Sequence, residues 1–156
     1  MKFRNLNFEL KKSIDNAWAK KEGNGEEPKR AIVIDDDHST LRLVSKQIKE
    51  YGFNSVESYT AEFMALDQIT QDLPDLLIID LFLLGSSGLK VIEVLNTLTT
   101  HEIPILLISN YKKSEDEITD RFGDQNIKFL KKPLFKEELH KKVDELLMTH
   151  QVRVAA

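Results

Sequence analysis

Three runs in this chain are apolar at every position: Ala31-Ile-Val-Ile34, Leu76-Leu-Ile-Ile79 and Ile105-Leu-Leu-Ile108. A strand with one wet face alternates, so unbroken runs of this length predict strands covered on both faces. Val56 centres a shorter strand, and Ile127-Lys-Phe-Leu130 supplies a fifth. The segments between them switch to the helical period. Leu43, Val44, Ile48 and Tyr51 fall within Ser39–Tyr51, which Gly52 stops, and Phe63, Leu66 and Ile69 fall within Ala61–Thr70. Leu89–Leu98, the polar Ser114–Phe122 and Phe135–Met148 complete the set. Five strand–helix repeats predict an α/β domain with a parallel sheet between two helical layers, joined by right-handed crossovers.

Residues 1–29 depart from this regularity. Leu6, Leu10, Ile14, Ala17 and Trp18 predict an amphipathic helix over about Asn5–Lys20, and Glu22-Gly-Asn-Gly-Glu-Glu-Pro28 predicts a solvated linker. The division expected is an N-terminal helical extension and linker over 1–29, the domain over 30–148 and a tail over 149–156. The extension is either a disordered leader or the trimmed end of a longer protein, or else a docking helix for a partner. The chain has no cysteine, which excludes thiol nucleophiles, zinc–thiolate sites and disulfides. A net charge of -4 gives no whole-chain attraction to nucleic acid or an anionic membrane. The richest apolar stretch, Leu76–Leu84, is broken by Asp80 and too short to span a bilayer. The N-terminus lacks a signal-peptide core, and the expectation is a cytoplasmic protein.

In sheets of this kind chemistry gathers at the carboxyl ends of the strands. There the sequence places Asp35, Asp36 and Asp37, then Asp80, then Ser109, then Lys132. Taken singly these residues read as strand terminators, helix caps and a solvated basic turn. Together they mean more. Carboxylates converging on one mouth repel by roughly 4 kcal/mol per pair at about 4 Å and an effective dielectric of 20. A divalent cation relieves this, and oxygen-only donors select Mg2+. A carboxylate beside bound Mg2+ can attack a phosphoryl group, with the lysine neutralising developing charge and Ser109 donating a hydrogen bond. The inventory points to aspartyl phosphorylation. The four histidines, His38, His101, His140 and His150, lack metal-ligand spacing and are expected at the surface.

With these motifs in order, residues 30–148 resemble the receiver domain of a two-component response regulator. The acidic pair matches Asp35 and Asp36, the phosphoacceptor Asp80, and the glycine eight residues on Gly88. The Ser/Thr after the fourth strand matches Ser109, the Lys-Pro pair Lys132-Pro133, and the switch aromatic Phe129. The resemblance implies a doubly wound, flavodoxin-like five-stranded sheet of order 2-1-3-4-5. It implies Mg2+ held by Asp35, Asp36, Asp80 and the Phe82 backbone carbonyl. A sensor histidine kinase or histidine phosphotransfer protein would place a phosphoryl group on Asp80 with Ser109 and Lys132 assisting. Ser109 and Phe129 would then switch a downstream partner on the fourth helix–fifth strand–fifth helix face. It also implies a cis Lys132–Pro133 bond and a monomer or phosphorylation-dependent dimer. Such a chain is a signalling switch that catalyses only its own phosphorylation and dephosphorylation, with output through noncovalent partners unless it is an excised domain. Three departures stand out: Leu83-Leu84-Gly85 lacks the usual loop proline, Ser87 replaces an aspartate, and Asn110 stands where a small residue is usual.

Two other readings carry different chemistry. Asp35-Asp-Asp37-His-Ser39 also resembles the Asp-x-Asp-x-Thr motif of haloacid-dehalogenase-like phosphatases, with Asp35 as nucleophile, Asp37 as general acid and Lys132 downstream. That reading leaves Asp80 without a purpose. A degenerate receiver acting as a constitutive binding module would need none of the chemical groups retained here.

Overall fold

The unbroken apolar runs lie side by side. In a computed structural model that describes Glu9, Lys12 and residues 29–111 and 115–155, five parallel strands form one sheet. They are β1 (Arg30–Ile34), β2 (Ser55–Tyr59), β3 (Leu76–Asp80), β4 (Ile105–Ser109) and β5 (Ile127–Lys131), in the order β2-β1-β3-β4-β5. This is the order the family resemblance implies. The register pairs Ile34 with Ile79, Asp80 with Ile108 and Ser109 with Lys131, which brings the polar strand ends to one rim. The helix expected over Asn5–Lys20 and its linker lie outside the described residues, apart from Glu9 and Lys12, both helical.

Successive strand residues face opposite layers. Ala31, Val33, Leu76, Ile78, Leu106 and Ile108 pack against α1 (His38–Tyr51) and α5 (Lys136–Ala155). Ile32, Ile34, Leu77, Ile79 and Leu107 pack against α2 (Glu62–Gln71), α3 (Gly88–Leu98) and α4 (Glu115–Phe122). β1, β3 and β4 are therefore buried along their whole length. Asp37 caps α1 by accepting from the Ser39 and Thr40 amides, and Ser87 caps α3 by accepting from Lys90.

The sequence reading needs three corrections. Leu43 and Phe63 are 43% and 69% exposed, and Leu41 and Ala65 take the inward positions. Each misplaced residue sits one position round the helix from the buried stripe, where a single apolar side chain tolerates water. The last helix does not stop at Met148 but runs through Ala155. No glycine or proline interrupts 149–155, Thr149 Oγ1 bonds the Glu145 carbonyl, and Arg153 pairs with Glu102. The histidines also differ: His38 is exposed, but His140 donates to the Gln47 carbonyl at 2.8 Å and His150 is half-buried. Burial holds the His150 imidazole below its ordinary pKa. No helix among the described residues is long and apolar enough to cross a membrane.

Candidate functional site

The carboxyl ends of four strands build a cavity of ≈ 290 Å³ at the rim of the sheet, lined by Asp36, Asp37, Thr40, Asp80, Phe82, Ser109, Asn110, Tyr111 and Lys132. Asp35, just past β1, is fully buried beneath it. Lys132 follows β5, and its Nζ bridges two carboxylates, 2.8 Å from Asp35 Oδ2 and 2.7 Å from Asp80 Oδ2. The remaining oxygens are also engaged. Asp35 Oδ1 accepts from the Asp37 amide at 2.8 Å, and Asp80 Oδ1 from the Phe82 amide at 2.9 Å. The groups expected at the strand ends therefore meet in one place.

Burial raises the Asp35 carboxyl above its usual value despite the hydrogen bonds from Lys132 and the Asp37 amide. Burial pulls Lys132 the other way, but its bonds to Asp35 and Asp80 outweigh that and hold the ammonium above its ordinary pKa. Asp37 plays a separate part. The Thr40 hydroxyl, 2.7 Å away, and the Thr40 and Ser39 amides hold it below the usual carboxylate range, as a helix cap.

Ligand oxygens of Asp35, Asp36 and Asp80 all lie within 4.8 Å of one another. This cluster of hard oxygen donors, with one ammonium against three carboxylates, has the chemistry of a site for a small divalent cation. Sequence reasoning missed Thr40, whose spacing three residues after Asp37 is an N-cap signal and which turns Asp37 toward the helix.

The neighbouring backbone fixes the acceptor carboxylate. A Cβ on Gly88 would stand 2.5 Å from the Asp80 carbonyl oxygen, so α3 can begin this close to β3 only with glycine there. Between them Phe82–Leu83 and Ser86–Ser87 form a small antiparallel ladder, Phe82 opposite Ser87. Gly85, at φ 78°, turns it without the family's proline. Ser109 is buried, its Oγ accepting from the Tyr111 amide at 3.1 Å and its carbonyl from the Lys132 amide at 2.8 Å. The Phe82 and Tyr111 rings meet edge to face, centroids 5.5 Å apart, beside the mouth. Phe129 lies in β5 within the core, and the Lys132–Pro133 bond is cis, as the resemblance implies.

Comparison with known proteins decides the family. Residues 31–144 match the response regulator receiver domain. The chain belongs to that family. It is 29% identical over 91 residues to the phosphate regulon transcriptional regulatory protein PhoB of Klebsiella pneumoniae, covering 58% of this chain and 39% of that protein. Response regulator MprA of Mycobacterium avium is 30% identical over 121 residues, 76% of this chain and 50% of the relative. This receiver thus spans about two fifths to half the length of these curated relatives. A structure of a response regulator from Chloroflexus aurantiacus shares 25% identity at a TM-score of 0.65, covering 78% of this chain and 99% of that one. A CheY-like receiver domain from Methanospirillum hungatei shares 20% at 0.70, covering 81% and 99%, and supports the fold.

Proposed function

We propose that the chain is a phosphoacceptor receiver that takes a phosphoryl group from a histidine kinase or histidine phosphotransfer protein onto Asp80. The observation that carries this is the Lys132 ammonium held between Asp35 and Asp80 beside a third carboxylate, Asp36. An Asp80 oxygen attacks the phosphorus of the donor's phosphohistidine, the P–N bond breaks, and its electron pair returns to the imidazole. Lys132 follows the charge that develops on the transferred oxygens. Ser109 turns its hydroxyl toward one of them. Asp35, Asp36, Asp80 and the Phe82 carbonyl are the residues to hold Mg2+, which when bound neutralises charge on the phosphoryl group. The chain's catalysis extends only to its own phosphorylation and dephosphorylation. Residues 30–148 are the working unit, and a kinase donor places it in the cytoplasm.

Movement of Ser109 toward the phosphoryl group vacates space into which Phe129, already packed in the core, shifts, which alters the α4–β5–α5 face and its affinity for a downstream partner, a second receiver included. Such a change requires two packings that the partner distinguishes. The phosphatase alternative loses ground to geometry. Asp35 is fully buried beneath the cavity, whereas Asp80 lines it, so a phosphoryl donor reaches Asp80 and not Asp35.

The test is incubation with acetyl phosphate and Mg2+ followed by intact mass measurement. Wild type should gain one phosphoryl group, Asp80→Asn none, and Asp36→Ala none despite an intact fold. Beryllium fluoride with Mg2+ should shift the amide resonances around Phe129. An unmodified wild type, under conditions that phosphorylate a control receiver, rules the proposal out.

A further inference from the structure

The final turns of α5 carry apolar side chains that nothing among the described residues covers: Met148 is 67% and Val152 71% exposed. They stand one turn apart on one face, in line with Asp144. The same helix meets the end of α1, close in sequence to the residue that holds the chain where it enters the domain. Lys29 donates to Asn54 Oδ1 at 3.1 Å and its carbonyl accepts from the Asn54 amide. Asn54 closely follows the end of α1, where Tyr51 donates to Asp144 of α5. The chain thus enters the domain just past the end of α1, the helix whose last residue contacts Asp144 of α5.

What precedes it has matching chemistry. Leu6, Leu10, Ile14, Ala17 and Trp18 share one helical face. Glu9 and Lys12, off that face, are helical and exposed. Residues 1–21 hold six Lys and Arg against two acids, and the other 135 residues sixteen against twenty-four. On the receiving side Asp144 and Glu145 stand one turn before Met148, with exposed Lys141 a further turn back on the same face.

We infer that residues 5–20 dock as an amphipathic helix on the α5 face formed by Met148 and Val152, within the same chain. Size decides between this occupant and a second copy. Two side chains fall far short of the roughly 800 Å² per partner that a stable intermolecular interface buries. A tethered segment needs much less, because a short linker presents it at an effective concentration of about millimolar. The eight residues 21–28 reach up to about 26 Å, enough for a helix of about 24 Å to fold back along α5.

Trp18 is the single tryptophan, so its fluorescence in the full chain reports the contact directly. Wild type should show blue-shifted emission and protection from acrylamide that persist on dilution. Met148→Lys with Val152→Lys should move the emission to the red and remove the protection, while circular dichroism stays unchanged because both positions already face water. Leu10→Ser with Ile14→Ser should do the same from the segment's side, which covers the case that the α5 variant misfolds. Three results overturn the inference: water-exposed Trp18 in wild type, protection unmoved by either variant, or protection lost on dilution, which would assign the face to a second copy.

Discussion

Hydrolysis of an acyl phosphate on Asp80 needs a water in line with the phosphorus–oxygen bond and a side chain able to orient or polarise it. The residues beside that approach are Phe82, two beyond Asp80, and Tyr111, two beyond Ser109, whose rings meet edge to face at 5.5 Å. Phe82 offers no acceptor for the water's proton. The phosphorylated form should therefore be long-lived. Loss of one orienting contact of about 2–3 kcal/mol slows the step roughly a hundredfold. Phe82→Asn and Tyr111→Glu should each accelerate phosphoryl loss when the decay of phosphorylated protein is followed after removal of the donor. Decay of wild type as fast as either variant contradicts this and turns attention to exposed Asn110, which also lines the mouth and can hold a water. At this scale the candidate site was legible because four strand ends each carried a polar residue where apolar residues would otherwise continue. The bridge from Lys132 to both Asp35 and Asp80 was not legible, because it depends on the register of three strands and the path after β5.

Whole elements were readable where burial is total and obscure where it is partial. β1, β3 and β4 announce themselves through four consecutive apolar residues, whereas Leu43 and Phe63 satisfy a helical pattern while facing water. Arg30 gave no signal either, since a charge before an apolar run normally reads as the strand's wet start. Instead it is buried at the start of β1 and reaches across to β2, with Nε and Nη2 donating to the two Glu57 oxygens at 3.1 and 2.8 Å. This ties the edge strand to the sheet. The Arg30 guanidinium, with help from the Tyr59 hydroxyl, holds the Glu57 carboxyl below its ordinary value. A depressed folded-state pKa means stability fully present above the unfolded value of 4.5 and lost as pH falls through the folded one. Glu57→Gln should therefore destabilise the protein by about 1 kcal/mol near neutral pH, a partly exposed pair being worth less than a buried one. The gap should close below pH 4.5. Urea midpoints across that range check it, and a gap independent of pH would show that the ion pair contributes nothing.

For the molecule as a whole, the site is a source of instability that a ligand can reverse. Asp35, Asp36 and Asp80 gather at one rim with Lys132 between two of them, so folding without a cation assembles more negative charge than the ammonium offsets. Breaking the Lys132 bridge would leave buried carboxylates unpaired, an expensive outcome. Removing the exposed Asp36 carboxylate has the opposite effect, since it relieves repulsion and strands no partner among the described residues. In chelator, Asp36→Ala should be more stable than wild type by about 1 kcal/mol, in line with one charge pair screened at the surface. Addition of Mg2+ should then invert the order. A ligand that binds only the folded state stabilises by RT ln(1 + [L]/Kd), about 2.7 kcal/mol at a hundredfold excess over Kd. Wild type should gain this and the variant little of it. Urea unfolding with and without Mg2+ measures both effects, because a shift in midpoint at constant slope is a change in stability alone. A wild-type midpoint indifferent to Mg2+ would mean that the carboxylates do not act together on a cation, whatever the phosphorylation assay gives.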